Sequence, residues 1–289
     1  ADDYTGVVGI QIGDTPENAF SGVCNVTVRN MLIRNIGTGI LGYYESDQAS
    51  VTGNMVKLFS DYAIRNQHGG SGWWIFENHI TDGAENATCI RSSLVSCVIE
   101  ANILQGVGVS IGIQIDGGNL EGRAVSIRNN YLESQVSADY GIVLYGVDTG
   151  IIENNSFHGF AGAKLIALAD VDAMSCRNIT IGPNRHSQSG GFIDELATST
   201  SGSTNCQITG KQYTNGAVTT ISGTWTFKNF DGVAEVSQGV KFPATQNPSS
   251  NPNTLDDYEE GTATIGIKFG STSQTTSSQA GYTKVGRLV

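Results

Sequence analysis

Asparagines recur along this chain at a spacing that few folds accommodate. Asn30, Asn54, Asn78, Asn102, Asn130 and Asn155 stand two residues before Leu32, Val56, Ile80, Leu104, Leu132 and Phe157. The first three steps of that apolar series are each 24 residues and the last two are 28 and 25. Three residues before the asparagines come Val51, Ile75, Ile99, Ile127 and Ile152, with Thr27 the exception in the first copy. A third track, Ile10, Ile40, Ile64, Ile90, Ile113, Ile142, Ile166 and Ile193, advances in steps of 30, 24, 26, 23, 29, 24 and 27. A period of about 20 to 50 residues marks a solenoid or an array. Inside each unit the apolar residues alternate over a few positions and then break at Gly, Asn or Ser, which is a strand pattern and not a helical one.

A unit of about 24 residues with three short strands makes one rung of a right-handed, single-stranded parallel β-helix, each strand pairing with its copy about 4.8 Å along the axis. The all-β chain is thus expected to hold about 8 to 9 such rungs. Ile142 is expected over Ile113 and under Ile166, and each stacked Ile contributes about 1.5 to 3 kcal/mol by burial. Asparagine suits the corners because it tolerates unusual backbone angles and its amide bonds its copies above and below. The uneven steps place insertions in loops. A β-sandwich is the alternative, but the Asn-Gly turns that would join antiparallel hairpins are nearly absent between the strands.

Composition narrows the partners. A net charge of −11 and a pI near 4.7 argue against nucleic acid and anionic membranes, which need clustered Lys and Arg. Neutral or cationic ligands stay open, and an anionic glycan would need a local basic patch. No run of 18 apolar residues exists, so no membrane insertion is expected. Ala1-Asp2-Asp3-Tyr4 enters almost directly on a repeat strand, which reads as a start inside a longer protein. Five cysteines at irregular spacing, Cys24, Cys89, Cys97, Cys176 and Cys206, look like small buried residues and not a disulfide framework or a zinc site. The four histidines, His68, His79, His158 and His186, fall on different tracks and loops, and no metal or cofactor is expected.

Residues 1–230 are assigned to the β-helix, 231–254 to a linker or extended segment, and 255–289 to the start of an incomplete C-terminal β-domain. Within the helix the repeat is most regular up to Phe160. Beyond it Ile181 and Asn184 keep strand and corner, His186 replaces the apolar residue, a ninth rung is drawn from Ile208 and Ile221, and TWTF at Thr224 to Phe227 is expected to cap the stack. Beyond the uncharged stretch QNPSSNPNT, TATIGIKFG and YTKVGRLV alternate like the strands of a hairpin.

The strings GVKFPATQ at Gly239 to Gln246, NTLDDYEEGT at Asn253 to Thr262 and GYTKVGRLV at Gly281 to Val289 resemble a segment that recurs in tailed-phage tail fibres and tailspikes. Such sequences tend to carry Trp-Thr-Pro where Ala263 begins, and an Arg before the position of Tyr282, so the chain departs from the pattern at both. The upstream repeats resemble the pectate-lyase-like solenoids of phage spikes by architecture. The resemblance implies a homotrimer in the virion tail, assembled in the host cytoplasm and attached to other tail or baseplate proteins. It also implies a receptor-binding protein that recognises, and in many cases depolymerises, a bacterial surface polysaccharide. A non-enzymatic trimeric adhesin or shaft segment and a secreted cell-wall polysaccharide lyase or hydrolase are the alternatives.

Chemistry on a solenoid belongs to outward strand positions and adjacent loops, since inward positions are committed to packing. One residue after each track Ile stand Gln11, Leu41, Arg65, Arg91, Gln114, Val143, Ala167 and Asp194; two further on stand Tyr43, Gln67, Ser93, Asp116 and Tyr145. Tyr43, Arg65, Gln67, Arg91, Gln114 and Tyr145 therefore form a candidate glycan-binding strip, rich in the aromatic and planar polar groups that bind sugars. Alternation at Trp73-Trp74 points one ring inward and one out, and Trp74 is taken as a further sugar platform. Glycoside hydrolysis needs two carboxylates. The longest regular step brings Asp116, Glu121, Glu133 and Asp139, and Asp116 with Glu121 is the first candidate acid and base pair, ahead of Asp194 and Glu195.

Overall fold

The computed structural model describes residues 6–13, 23–43, 46–67, 71–93, 96–106, 109–117, 124–134, 140–159, 164–169, 175–186, 191–196, 205–209, 213–214, 220–221, 226–228, 258–265, 268–269, 272–273 and 278–285. All of their regular secondary structure is β-strand. The chain divides into two compact units, Ala1–Asp231 and Gly232–Val289.

The first unit is a parallel β-helix with three stacks of strands. The isoleucine track forms face 1, where Ile10, Ile40, Ile64, Ile90, Ile113, Ile142, Ile166, Ile193 and Ile221 pair one on the next in parallel register. Face 2 is a nine-stranded parallel sheet that carries Val28, Val51, Ile75, Ile99, Ile127, Ile152, Ile181, Ile208 and Phe227. Face 3 carries Ile33, Val56, Ile80, Leu104, Leu132, Phe157, His186 and Thr214. Faces 1 and 3 belong to one 15-stranded sheet because Leu32–Gly42 and Met55–Asn66 run round a corner unbroken. The three sets of inward side chains meet in a single core in which Ile64, Ile75, Ile80, Ile90, Ile99 and Ile113 are fully buried.

The corner between faces 2 and 3 divides its work between two neighbouring residues. Asn30, Gly53, Glu77, Ala101, Asn129 and Asn154 turn the chain with positive φ between 55° and 64°. The next residue is the ladder asparagine. Asn54, Asn78, Asn102, Asn130 and Asn155 each donate Nδ2 to Oδ1 of the following asparagine at 2.9 to 3.1 Å, ending at Asn184. The same Oδ1 accepts the backbone N–H of the asparagine before it at 3.0 Å. Every one of these amides is at most 1% exposed, and a buried polar group left unpaired would cost about 1 to 3 kcal/mol.

That division corrects the first copy of the repeat. Asn30 stacks with Gly53 as a turn residue, while Met31 takes the ladder position and gives its N–H to Asn54 Oδ1 at 3.1 Å. The core residue is therefore Ile33, in register with Val56, and Leu32 stands outside, 58% exposed. Val28 in turn pairs with Val51, so the apparent exception at Thr27 is the same shift of one residue. At the far end, Ile208 pairs with Ile181 and belongs to the eighth rung, and the ninth combines Ile221 with Phe227. Thr226–Lys228 is thus the terminal strand of face 2 among the described residues, while Thr224 and Trp225 of the expected cap lie outside them.

Small residues let the rungs close. The positions just before the track isoleucines include Gly9, Gly39, Ala63, Cys89, Gly112 and Gly141, and a Cβ on any of these four glycines would meet a side chain of face 3. A Cβ on Gly42 would overlap the indole ring of Trp73, which is fully buried and donates Nε1–H to the Ser46 carbonyl at 2.5 Å. Cys89, Cys97, Cys176 and Cys206 are buried as expected, but Cys24 is exposed because it lies in a two-residue corner strand paired with Asp47, outside the core.

In the second unit Tyr258–Ile265 pairs antiparallel with Ser278–Val285, and Lys268–Phe269 with Thr272–Ser273. The stretch assigned to a linker, 231–254, lies outside the described residues.

Candidate functional site

The outward side of face 1 presents a linked polar cluster across three rungs. Arg65, Arg91 and Gln114 are consecutive partners in register. The Arg91 guanidinium donates Nε to Asp116 Oδ2 at 2.7 Å and Nη1 to the Tyr62 hydroxyl at 2.8 Å. Gln114 Nε2 donates to Asp116 Oδ1 at 2.8 Å, and Ser93 Oγ approaches Oδ2 at 3.4 Å. Both guanidinium groups lie over the Tyr62 ring, Arg65 at 4.5 Å and Arg91 at 5.7 Å from its centroid. Burial works against the charge on Arg91, but Asp116 and Tyr62 outweigh it, and its pKa is raised above the ordinary arginine value. Sequence reasoning found Arg65, Arg91, Gln114 and Asp116 from their parity; it missed Tyr62, which shares the inward parity of Ile64 but comes out beside the arginines because alternation breaks at Ala63, buried next to Ile64.

Further along the face the strip changes character. Val143 and Ala167 are outward by alternation yet fully buried, and with Ala169 they form an apolar cluster on which Ile111, Tyr140 and Tyr145 pack. Tyr145 is therefore a half-buried wall of this cluster as well as a strip residue. Leu41 is likewise covered, at 9% exposure, and interrupts the polar strip between Gln11 and Arg65. Tyr43 and Gln67 follow their strands at its edge, where their backbone N–H groups bond the Ile12 and Gly42 carbonyls.

Glu121 and Asp139 lie outside the described residues. Glu133 is on a different face, because its strand, Tyr131–Ser134, follows the asparagine corner and stacks in face 3. There it accepts from Gln105 Nε2 at 3.0 Å and from Tyr131 at 3.1 Å, and the amide orientation this imposes turns Gln105 Oε1 to His79 Nε2 at 2.9 Å. Among the described residues no three His, Cys, Asp or Glu side chains come together to hold a metal.

The second surface is on face 2. Ser50, Trp74, Val98, Ser126, Ile151, Thr180 and Gln207 form one outward column, each in register with the next. Beside it runs a column of small or short residues, Gly72, Ser96, Ala124, Thr149 and Asn178, and the lack of bulk there leaves a groove of about 500 Å³. Trp74 stands at one end, 62% exposed. Four inter-rung steps separate it from Thr180, a run of about 19 Å at the spacing of paired strands. No known family model, no curated protein and no solved structure matches this chain.

What the geometry offers is recognition by shape and stacking. An indole face covers the C–H face of a sugar ring, and hydroxyl side chains such as Ser126, Thr149 and Thr180 both donate and accept. Trp74 is thus on another sheet from Arg65, Arg91 and Asp116, and the sequence-derived binding set separates into two surfaces.

Proposed function

We propose that the chain is the receptor-binding β-helix of a phage tail fibre or tailspike and recognises a bacterial surface polysaccharide, with Trp74 and the groove beyond it as the principal contact. The observation that carries this reading is the exposed Trp74 ring at the head of a groove lined with small hydroxyl and apolar residues. A large aromatic left bare at 62% on a rigid parallel sheet contributes nothing to the core, whereas its neighbour Trp73 supplies that packing in full. The parallel β-helix is compatible with tailspike-like proteins, and the strings GVKFPATQ and NTLDDYEEGT support the phage assignment.

Binding without cleavage is the form of the reading that the surroundings of Asp116 favour. Both of its oxygens accept hydrogen bonds, and one of the donors is the guanidinium of Arg91, so its described contacts are those of a carboxylate that positions a neighbour. The homotrimer and the attachment to other tail proteins belong to the same proposal and rest on the resemblance.

The test is binding of purified surface polysaccharide from candidate host strains, followed by tryptophan fluorescence and calorimetry. Trp74→Ala is expected to weaken binding by about 1 to 3 kcal/mol, the worth of an aromatic contact of this kind. Undiminished affinity in that variant would remove the groove from the reading. Release of oligosaccharide by the wild-type chain, abolished in Asp116→Asn, would favour the depolymerase over the adhesin.

A further inference from the structure

We propose that Arg65 and Arg91, gathered over Tyr62 on face 1, form a receptor for a singly charged oxyanion on a sugar, a uronate carboxylate in the first instance. The inference rests on the polysaccharide-binding reading and names a chemical class within it.

Two guanidinium groups on adjacent rungs are an unusual possession for a chain of net charge −11. Arg65 and Arg91 are direct partners in register, so their Cα atoms lie about 4.8 Å apart. Like charges directly opposite across paired strands are destabilising. A carboxylate on each would relieve the repulsion, yet among the described residues only one is present: Asp116 takes Nε of Arg91. Among the described residues the Arg65 guanidinium has no hydrogen-bond acceptor and no ion-pair partner; its one described side-chain contact is the ring of Tyr62 at 4.5 Å. Among the described residues the cluster therefore carries one uncompensated positive charge.

Its donors are also held in place. Arg91 uses Nε on Asp116 and Nη1 on Tyr62, which fixes the plane of its guanidinium and leaves Nη2 for another acceptor. The Tyr62 hydroxyl accepts from Arg91, so its own hydrogen is available to donate. Stacking on Tyr62 restricts Arg65 in turn, and a planar fork held in this way matches the two oxygens of a carboxylate. The single excess charge suits a monoanion, either a carboxylate or a phosphodiester, better than a phosphate monoester. The overall acidity of the protein does not prevent this, because exposed charges beyond about 8 Å are largely screened at physiological salt.

The experiment is a set of bacterial-type oligosaccharides in which each uronate-containing chain is paired with its carboxyl-reduced neutral counterpart and with a phosphodiester-containing chain. It is probed with the wild-type protein, Arg65→Gln, Arg65→Lys and Trp74→Ala, each first confirmed as folded by circular dichroism. Uronate chains are expected to bind, with a loss of about tenfold or more on carboxyl reduction and on Arg65→Gln, and partial recovery in Arg65→Lys, whose point charge lacks the fork. Preference for the phosphodiester chain with the same Arg65 dependence keeps the oxyanion receptor and changes the source of the anion. Neutral counterparts that bind as well as the uronates, together with an indifferent Arg65→Gln, overturn the inference; if Trp74→Ala alone then weakens binding, the polysaccharide reading stands without it. Silence of every oligosaccharide with every protein overturns both.

Discussion

The side-chain amide of Asn102 donates to Oδ1 of Asn130 at 3.0 Å, and that same oxygen accepts the backbone N–H of Asn102 at 3.0 Å. One asparagine thus satisfies two donors of the rung before it, while its own Nδ2 binds the next rung and a carbonyl of face 2. For Asn102 that carbonyl belongs to Ile75, at 2.9 Å.

Replacing Asn102 by Ala removes an acceptor from the N–H and Nδ2 of Asn78 and a donor from Asn130, all buried. A loss of about 2 to 4 kcal/mol is expected, from unpaired groups valued at about 1 to 3 kcal/mol each with partial relaxation. Chemical denaturation of the isolated β-helix measures it; a loss below half a kcal/mol, as seen at exposed sites, would mean that water or a neighbour replaces the ladder.

The register of the first rung predicts opposite outcomes for adjacent residues. Ile33→Ala opens a cavity beside Val56 and is expected to cost about 2 to 4 kcal/mol, while Leu32→Ser on the outside is expected to stay within about 0.5 kcal/mol. A larger loss for Leu32→Ser than for Ile33→Ala would place the ladder asparagine at Asn30 after all.

Gly42→Ala sets a methyl group against the buried Trp73 ring. The overlap is with a rigid indole whose N–H is tied to the Ser46 carbonyl, so a cost of about 1 to 3 kcal/mol is expected. A shift in tryptophan emission should accompany the loss, because the indole has to move; unchanged emission with unchanged stability would contradict the packing.

Burial pushes the thiols of Cys89, Cys97 and Cys176 up to about 12. Iodoacetamide at mildly alkaline pH is expected to label Cys24 and spare these three, which mass spectrometry of tryptic peptides reads directly. Because the folded values lie above those of the unfolded thiols, near 8.5, the linkage has a definite sign. Their contribution to stability is intact below about pH 8.5 and is lost as the pH climbs towards 12, since the unfolded chain gives up protons that the folded one retains. Cys97→Ala should flatten that alkaline decline relative to the parent, whatever its effect at neutral pH.

Much of the fold was legible because a solenoid repeats its interior literally. Ile90 lies between Ile64 and Ile113 in space for the same reason that it lies between them in the chain. The misplacement at Asn30 has an equally physical cause: asparagine suits both the positive-φ turn and the amide ladder, and only hydrogen bonding separates the two roles. Alternation sent Trp73 and Trp74 to opposite sides of the sheet, and the structure assigns Trp73 to the core and Trp74 to the surface. Alternation did not reveal that Val143 and Ala167, though outward, are covered, since parity fixes where a side chain points and not what packs on it. The face 2 groove was invisible for a related reason, being defined by what Gly72, Ser96 and Ala124 lack. Tyr62 escaped because strict alternation assigns it to the inward side with Ile64, and the irregularity at Ala63 that turns it to the two arginines leaves no mark in the sequence.

The asparagine corner addresses only the courses immediately above and below it. A gene built this way can gain or lose one whole course without disturbing the hydrogen bonds of the others. The reach of such a protein then becomes a ruler graduated in steps of about 4.8 Å, adjustable by duplication far more readily than by redesign.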